Sequence, residues 1–176
     1  MNFFKTLMIT VVLSGLFNSI SMGQSITKPG TGFKFDNSLP LTITSSQLNV
    51  EQNVGKATFI GDVVAKQGNL ILSAEELVVE YEMKSKRMTG VMKRLIASVN
   101  VTLVSEEQSA EAKKMVYDMK AEKIIMTGNV FVTEGVSATS GDKLTINLIS
   151  GSRKMEGNVR TVITVSYTQL TLPTNR

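Results

Sequence analysis

Two adjacent carboxylate pairs, Glu75-Glu76 and Glu106-Glu107, are suited by type to general acid–base work. Three basic groups, Lys84-Ser85-Lys86-Arg87, Lys93-Arg94 and Lys113-Lys114, are suited to phosphate. Neither set sits where that chemistry needs it. Consecutive side chains on a strand point to opposite faces, so neither acid pair converges on one substrate, and solvated surface is the plainer reading of both. The cations fall in or beside expected turns, where charge blunts an exposed edge. Histidine and cysteine are both absent. That removes Ser-His-Asp and Cys-His nucleophiles, disulfides, zinc sites and thiolate-bound clusters together. No P-loop or dinucleotide-binding glycine motif occurs. The chain therefore reads as a non-enzyme with no cofactor, no metal and no catalytic residue.

The elements that would position any site read as strands. At 176 residues one domain with one sizeable core is the default, and 42% hydrophobic against 19% charged residues is too apolar for a disordered chain. From Leu41 onward apolar residues alternate with polar ones: Leu41 and Ile43, Leu48 and Val50, Phe59 and Val63, Leu70 and Leu72, Leu77, Val79 and Tyr81. Period two means strands with one buried face. Short turn-like interruptions separate them, at residues 53–55, 67–69, 106–108, 134–135 and 150–152.

A repeat sharpens this. An apolar-x-apolar pair followed by Gly-Asn/Asp-Val recurs at Leu48 with Gly61, Met115 with Gly128 and Leu144 with Gly157, each 13 residues apart. A fourth copy, Leu77 with Val99, has a spacing of 22, and its extra residues fall within 82–97. Two short strands joined by a turn cannot bury an apolar face alone, so successive copies stack along a shared core. Two positions before and after each glycine-type residue stand Phe59 and Val63, Ala97 and Val101, Met126 and Val130, Met155 and Val159, which defines the inward face. The glycine lets the strand bulge or turn a corner. Val99 departs from the pattern, so its copy is expected to bend differently. Residues 109–123 are rich in Ala, Glu, Lys and Met, as a helix would be, but Met115 and Tyr117 match strand positions of the other copies. They are read as strands around a charged turn at 118–123. The class is all-β, two facing layers in a jelly roll or open sandwich.

Residues 1–23 carry one cation, Lys5, then an apolar stretch over 7–17, then small residues at Ser21 and Gly23. That order is a secretory signal with cleavage near Gly23-Gln24, and about eleven apolar-dominated residues fall short of the roughly twenty a membrane span needs. An uncleaved anchor is the alternative. Residues 24–39 form an irregular lead-in, and 164–176 fit no repeat copy and resemble a read-through, non-native tail. The net charge of +4 is mild and dispersed, so no nucleic-acid partner is expected.

The order of Pro40-Leu41-Thr42-Ile43, residues 45–50, Phe59-x-Gly61-Asp62-Val63, Ala74-Glu75-Glu76-Leu77, residues 112–117, Gly128-Asn129-Val130 and Gly141-Asp142-Lys143-Leu144 closely resembles the LptA (OstA-like) periplasmic lipopolysaccharide-transport proteins over residues 40–163. The resemblance implies a twisted, open β-jelly roll built from repeated strand pairs, exported to the periplasm. Its interior would shield the acyl chains of lipid A, and its ends would pair with LptC-like and LptD-like jelly rolls or with further copies head to tail. Leu41 and Tyr117 match family positions that contact lipid. Ile43, Phe59, Val101, Leu103 and Met119 join them as inward groove residues. Leu41 and Ile43 at one end, and Leu144, Ile146, Leu148, Val159 and Ile163 at the other, are the expected partner edges. Two other readings stand beside this one: a self-assembling structural or adhesive β-repeat without lipid, and the membrane-anchored LptC-like relative.

Overall fold

The computed structural model describes Phe33, Phe35, residues 38–106 and residues 108–164. The expected export signal, most of the lead-in, Glu107 and residues 165–176 lie outside the described residues. Ten strands follow one another: β1 Thr42–Thr44, β2 Gln47–Glu51, β3 Lys56–Gln67, β4 Leu70–Lys84, β5 Arg87–Val104, β6 Gln108–Asp118, β7 Lys123–Glu134, β8 Ser137–Asn147, β9 Arg153–Glu156 and β10 Arg160–Val162. No helix occurs among the described residues. The stretch with helix-like composition is β6, a turn at 119–122 and the start of β7, because its apolar residues keep the period of two.

Neighbouring strands pair antiparallel in sequence order from β3 to β8, with β1 and β2 both on β3, and β9 and β10 both on β8. Long strands at the centre and short pairs at each end are what hairpin-connected repeats produce. Each long odd-numbered strand carries a bulge in its middle. Gly61-Asp62, Val99-Asn100 and Gly128-Asn129 each set two residues against one on the next strand, and the register jumps there. All six have positive φ, at 79 and 48, 65 and 53, and 85 and 51°. Gly157-Asn158 repeats the device between β9 and β10, at 74 and 47°. These bends lie on one line across the sheet, and residues from both sides of it join a single buried cluster. The sheet is therefore folded over on itself into two facing layers, an open jelly roll.

Val99 corrects one expectation. It bends as the glycines do, adopting their left-handed backbone because the register on both sides leaves it no alternative. The extra residues of its copy lengthen β4 and β5 into a projecting hairpin whose tip, Ser85-Lys86, has φ of 50 and 62°. Two consecutive left-handed residues make the tight turn that matches the twist of a two-residue hairpin.

Candidate functional site

Pairing turns the repeat into a surface. The first apolar residue of each copy is the register partner of the residue two before its bulge: Leu48 with Phe59, Leu77 with Ala97, Met115 with Met126, Leu144 with Met155. Phe59 also pairs with Leu77, Ala97 with Met115, and Met126 with Leu144. One unbroken apolar row thus crosses the first layer from β2 to β9. A second row beside it runs from Val50 through Val79, Leu95, Tyr117 and Ile124 to Ile146. In the facing layer Ile43, Ala65, Leu72, Leu103, Ala110 and Val132 align in the same way. The interior is continuously apolar along the stack.

The candidate groove residues divide by depth. Val101, Leu103 and Tyr117 are fully buried, while Leu41, Ile43, Phe59 and Met119 are half-buried against the same cluster. Met119 also lines an open cavity of about 900 Å³ where the β2–β3 turn, the projecting hairpin and the β6–β7 turn meet, with Tyr81, Met83 and Met92 beside it. Burial pushes the Tyr117 phenol above its ordinary value, and the negative charge of Glu122 adds to the effect.

The partner edge at the end of the stack needs correction. Leu144 and Ile146 are buried and paired on both sides, because β9 covers them, so the outermost strands there are β9 and β10 rather than β8. Leu148 is half-buried, and Val159 and Ile163 are exposed. Val159 is inward by parity yet 52% exposed, since among the described residues no further strand lies beyond β9 and β10. The opposite end shows the same pattern, with Leu48 and Val50 exposed on β2.

Sequence reasoning missed two residues here. Phe33 is 1% exposed, within the core, and Phe35 stacks on Tyr117 with ring centroids 4.4 Å apart at 24°. Their one signal was period-two spacing in Phe33-Lys34-Phe35-Asp36, hidden among the glycines and prolines of the lead-in. Of the acids and cations, Glu75, Glu106, Lys84, Lys86, Arg87, Lys93, Lys113 and Lys114 are exposed, whereas Glu76 and Arg94 are half-buried, Arg94 lying 3.7 Å from Glu80. No metal-binding cluster occurs among the described residues.

Among the described residues the chain is an all-β open jelly roll with a through-running apolar interior, whose terminal strands stay unpaired on their outer sides. Residues 42–152 match the family described as LptA/(LptD N-terminal domain) LPS transport protein, and this chain belongs to that family. Members are transport proteins, not enzymes. An uncharacterized protein of Rhizobium meliloti is 24% identical over 81% of this chain and 79% of its own length. The lipopolysaccharide export system protein LptA of Escherichia coli K12 is 23% identical over 62% of this chain, which spans 60% of that protein. Among solved structures, LptH, the LptA-homologous periplasmic component of the lipopolysaccharide transport device of Pseudomonas aeruginosa, superposes with a TM-score of 0.65. It shares 12% identity and covers 74% of this chain and 99% of its own, a likeness of fold.

Proposed function

We propose that this protein is a periplasmic carrier of lipopolysaccharide. In that role it shields lipid A acyl chains between its two layers and passes them along a bridge of jelly rolls from inner to outer membrane. The observation that carries this is the unbroken apolar row from Leu48 to Met155, with exposed apolar residues at both ends of the stack. Each exposed methylene costs about 0.8 kcal/mol in water, so a lipid with several acyl chains faces tens of kcal/mol in an aqueous gap, and a continuous apolar lining lowers that cost. Leu41, Ile43, Phe59, Val101, Leu103, Tyr117 and Met119 are the proposed contacts. Direction must come from partners, which would be LptC-like and LptD-like jelly rolls and further copies of this chain. Terminal strands β1, β2, β9 and β10 would join them by adding strand to strand. The periplasmic setting rests on family membership and on the order of residues 1–23.

A photo-crosslinker at Tyr117 should capture lipopolysaccharide in a membrane-containing host, and one at the outward, exposed Asn129 should not. Equal capture at both positions would remove the groove. Full burial of Val101, Leu103 and Tyr117 also suits a self-assembling β-repeat without cargo. Mass spectrometry of lipid co-purified with the protein separates the two, since that second protein would carry none.

A further inference from the structure

The space assigned to cargo already has an occupant. Phe33 lies within the core and Phe35 covers the ring of Tyr117, a proposed lipid contact. Neither phenylalanine belongs to a strand, whereas Tyr117, on which Phe35 stacks, is fixed on both sides by pairing, between Leu95 and Ile124. Further along the chain Leu39 is held to the fold, its carbonyl accepting a 3.1 Å hydrogen bond from the Gln67 side chain at the end of β3. Gln67 is itself buried there. Resting on the carrier reading above, we propose that Phe33 and Phe35 are a displaceable internal occupant of the groove, which leaves when an acyl chain enters and returns when it departs.

Physical chemistry favours exchange at this position over the strand-borne lining of the interior. A lining side chain on a central strand, such as Val101, Leu103 or Tyr117, cannot leave without breaking a ladder, because its backbone is hydrogen-bonded to two neighbours. The two phenyl rings contribute apolar contact without belonging to that ladder, so their displacement leaves the ten-strand sheet whole. An acyl chain offers the same kind of surface, and two ligands that need one surface exclude each other reciprocally. While the groove is empty of lipid, the rings keep Tyr117 and its neighbours from water, which spares the free protein a large exposed apolar patch. The occupant therefore lowers the apparent affinity for cargo by the factor that it stabilises the empty carrier.

The chain contains no tryptophan, so Phe35→Trp and Phe33→Trp each introduce the only indole as a reporter. Both indoles should emit at short wavelength in the free protein. Titration with radiolabelled lipid A, its binding followed by gel filtration, should shift emission to the red in step with bound label. The double variant Phe33→Ala/Phe35→Ala should bind lipid A about tenfold more tightly than the parent, as removal of a competing state requires. Lipid A bound while both indoles keep their short-wavelength emission overturns the proposal and leaves the groove standing. So does weaker binding by a double variant that retains its β circular dichroism, and a double variant that fails to fold leaves the decision to the indoles. Absence of lipid A binding by parent and variants alike overturns the groove itself, and the occupant with it.

Discussion

Tyr117 carries a phenol into the apolar interior, and its environment makes ionisation there costly. Burial raises its titration above the ordinary 10.0, and the Glu122 carboxylate adds to the rise. An acid whose folded value is raised contributes stability that is fully present below its unfolded value and is lost as pH rises past it, because the unfolded phenol ionises first. The difference in unfolding free energy between the parent and Tyr117→Phe should therefore stay constant from about pH 6 to about pH 9, then move in favour of the variant above about pH 10. Denaturant titrations at each pH check this. A difference that stays flat to about pH 11 would remove the buried-phenol account. Tyr117 was legible in the sequence because it repeats the second apolar position of its copy. Phe33 and Phe35 were not, since their period-two spacing is lost among the glycines and prolines of the lead-in and their burial depends on where they meet the finished jelly roll.

The bulged strand is the element that makes a folded sheet out of a flat one. Its signature, Gly-Asn/Asp, was readable because left-handed backbone selects those residue types. Gly128 shows the second reason: a Cβ there would sit 2.9 Å from the Cβ of Lys113. Val99 meets the same backbone demand at φ 65° with a β-branched side chain that is 55% exposed, so little burial offsets its strain. Left-handed backbone costs a non-glycine residue about 1–3 kcal/mol, while glycine adds about 0.5–1 kcal/mol of backbone entropy to the folding cost. The strain wins. Val99→Gly should stabilise the protein by about 1 kcal/mol, read as a rise of about 2–4 °C in calorimetric Tm, and Gly128→Val should lower it. An unchanged or lower Tm in Val99→Gly would mean that Val99 gains packing which outweighs its backbone strain. Sequence alone marked Val99 as an exception. That the register would force it into the same bend became visible only with β4 and β6 aligned on either side.

At the scale of the whole molecule the described strands do not close on one another: β1 and β2 lie at one end of the sheet, and β9 and β10 at the other. The order of strands, the shared inward face and the turns could be read from the repeat, but the outer edge at the far end could not. The last expected copy splits into two short strands that both lie on β8: β9 covers Leu144 and Ile146, and β10 pairs with Ala138–Ser140. The two ends are chemically different. At β2 the apolar rows finish on exposed Leu48 and Val50, whereas at β9 and β10 they finish beside Arg153, Val159 and Val162, with ion pairs from Lys154 and Lys143 holding Glu156. Unlike ends that each expose apolar side chains and a strand edge favour head-to-tail contact, which propagates instead of closing. Sedimentation velocity should show species that grow with concentration. Leu48→Lys/Val50→Lys places two cations on one end only, so the average size should fall toward the monomer while the β circular dichroism is retained. Val91 offers a control: it is 54% exposed on β5 in the projecting hairpin, at the centre of the strand order and away from both ends, and Val91→Lys should leave the distribution unchanged. If both variants sediment as the parent does, the ends do not mediate association, and a bridge built from this chain would need its partners' surfaces to supply every contact.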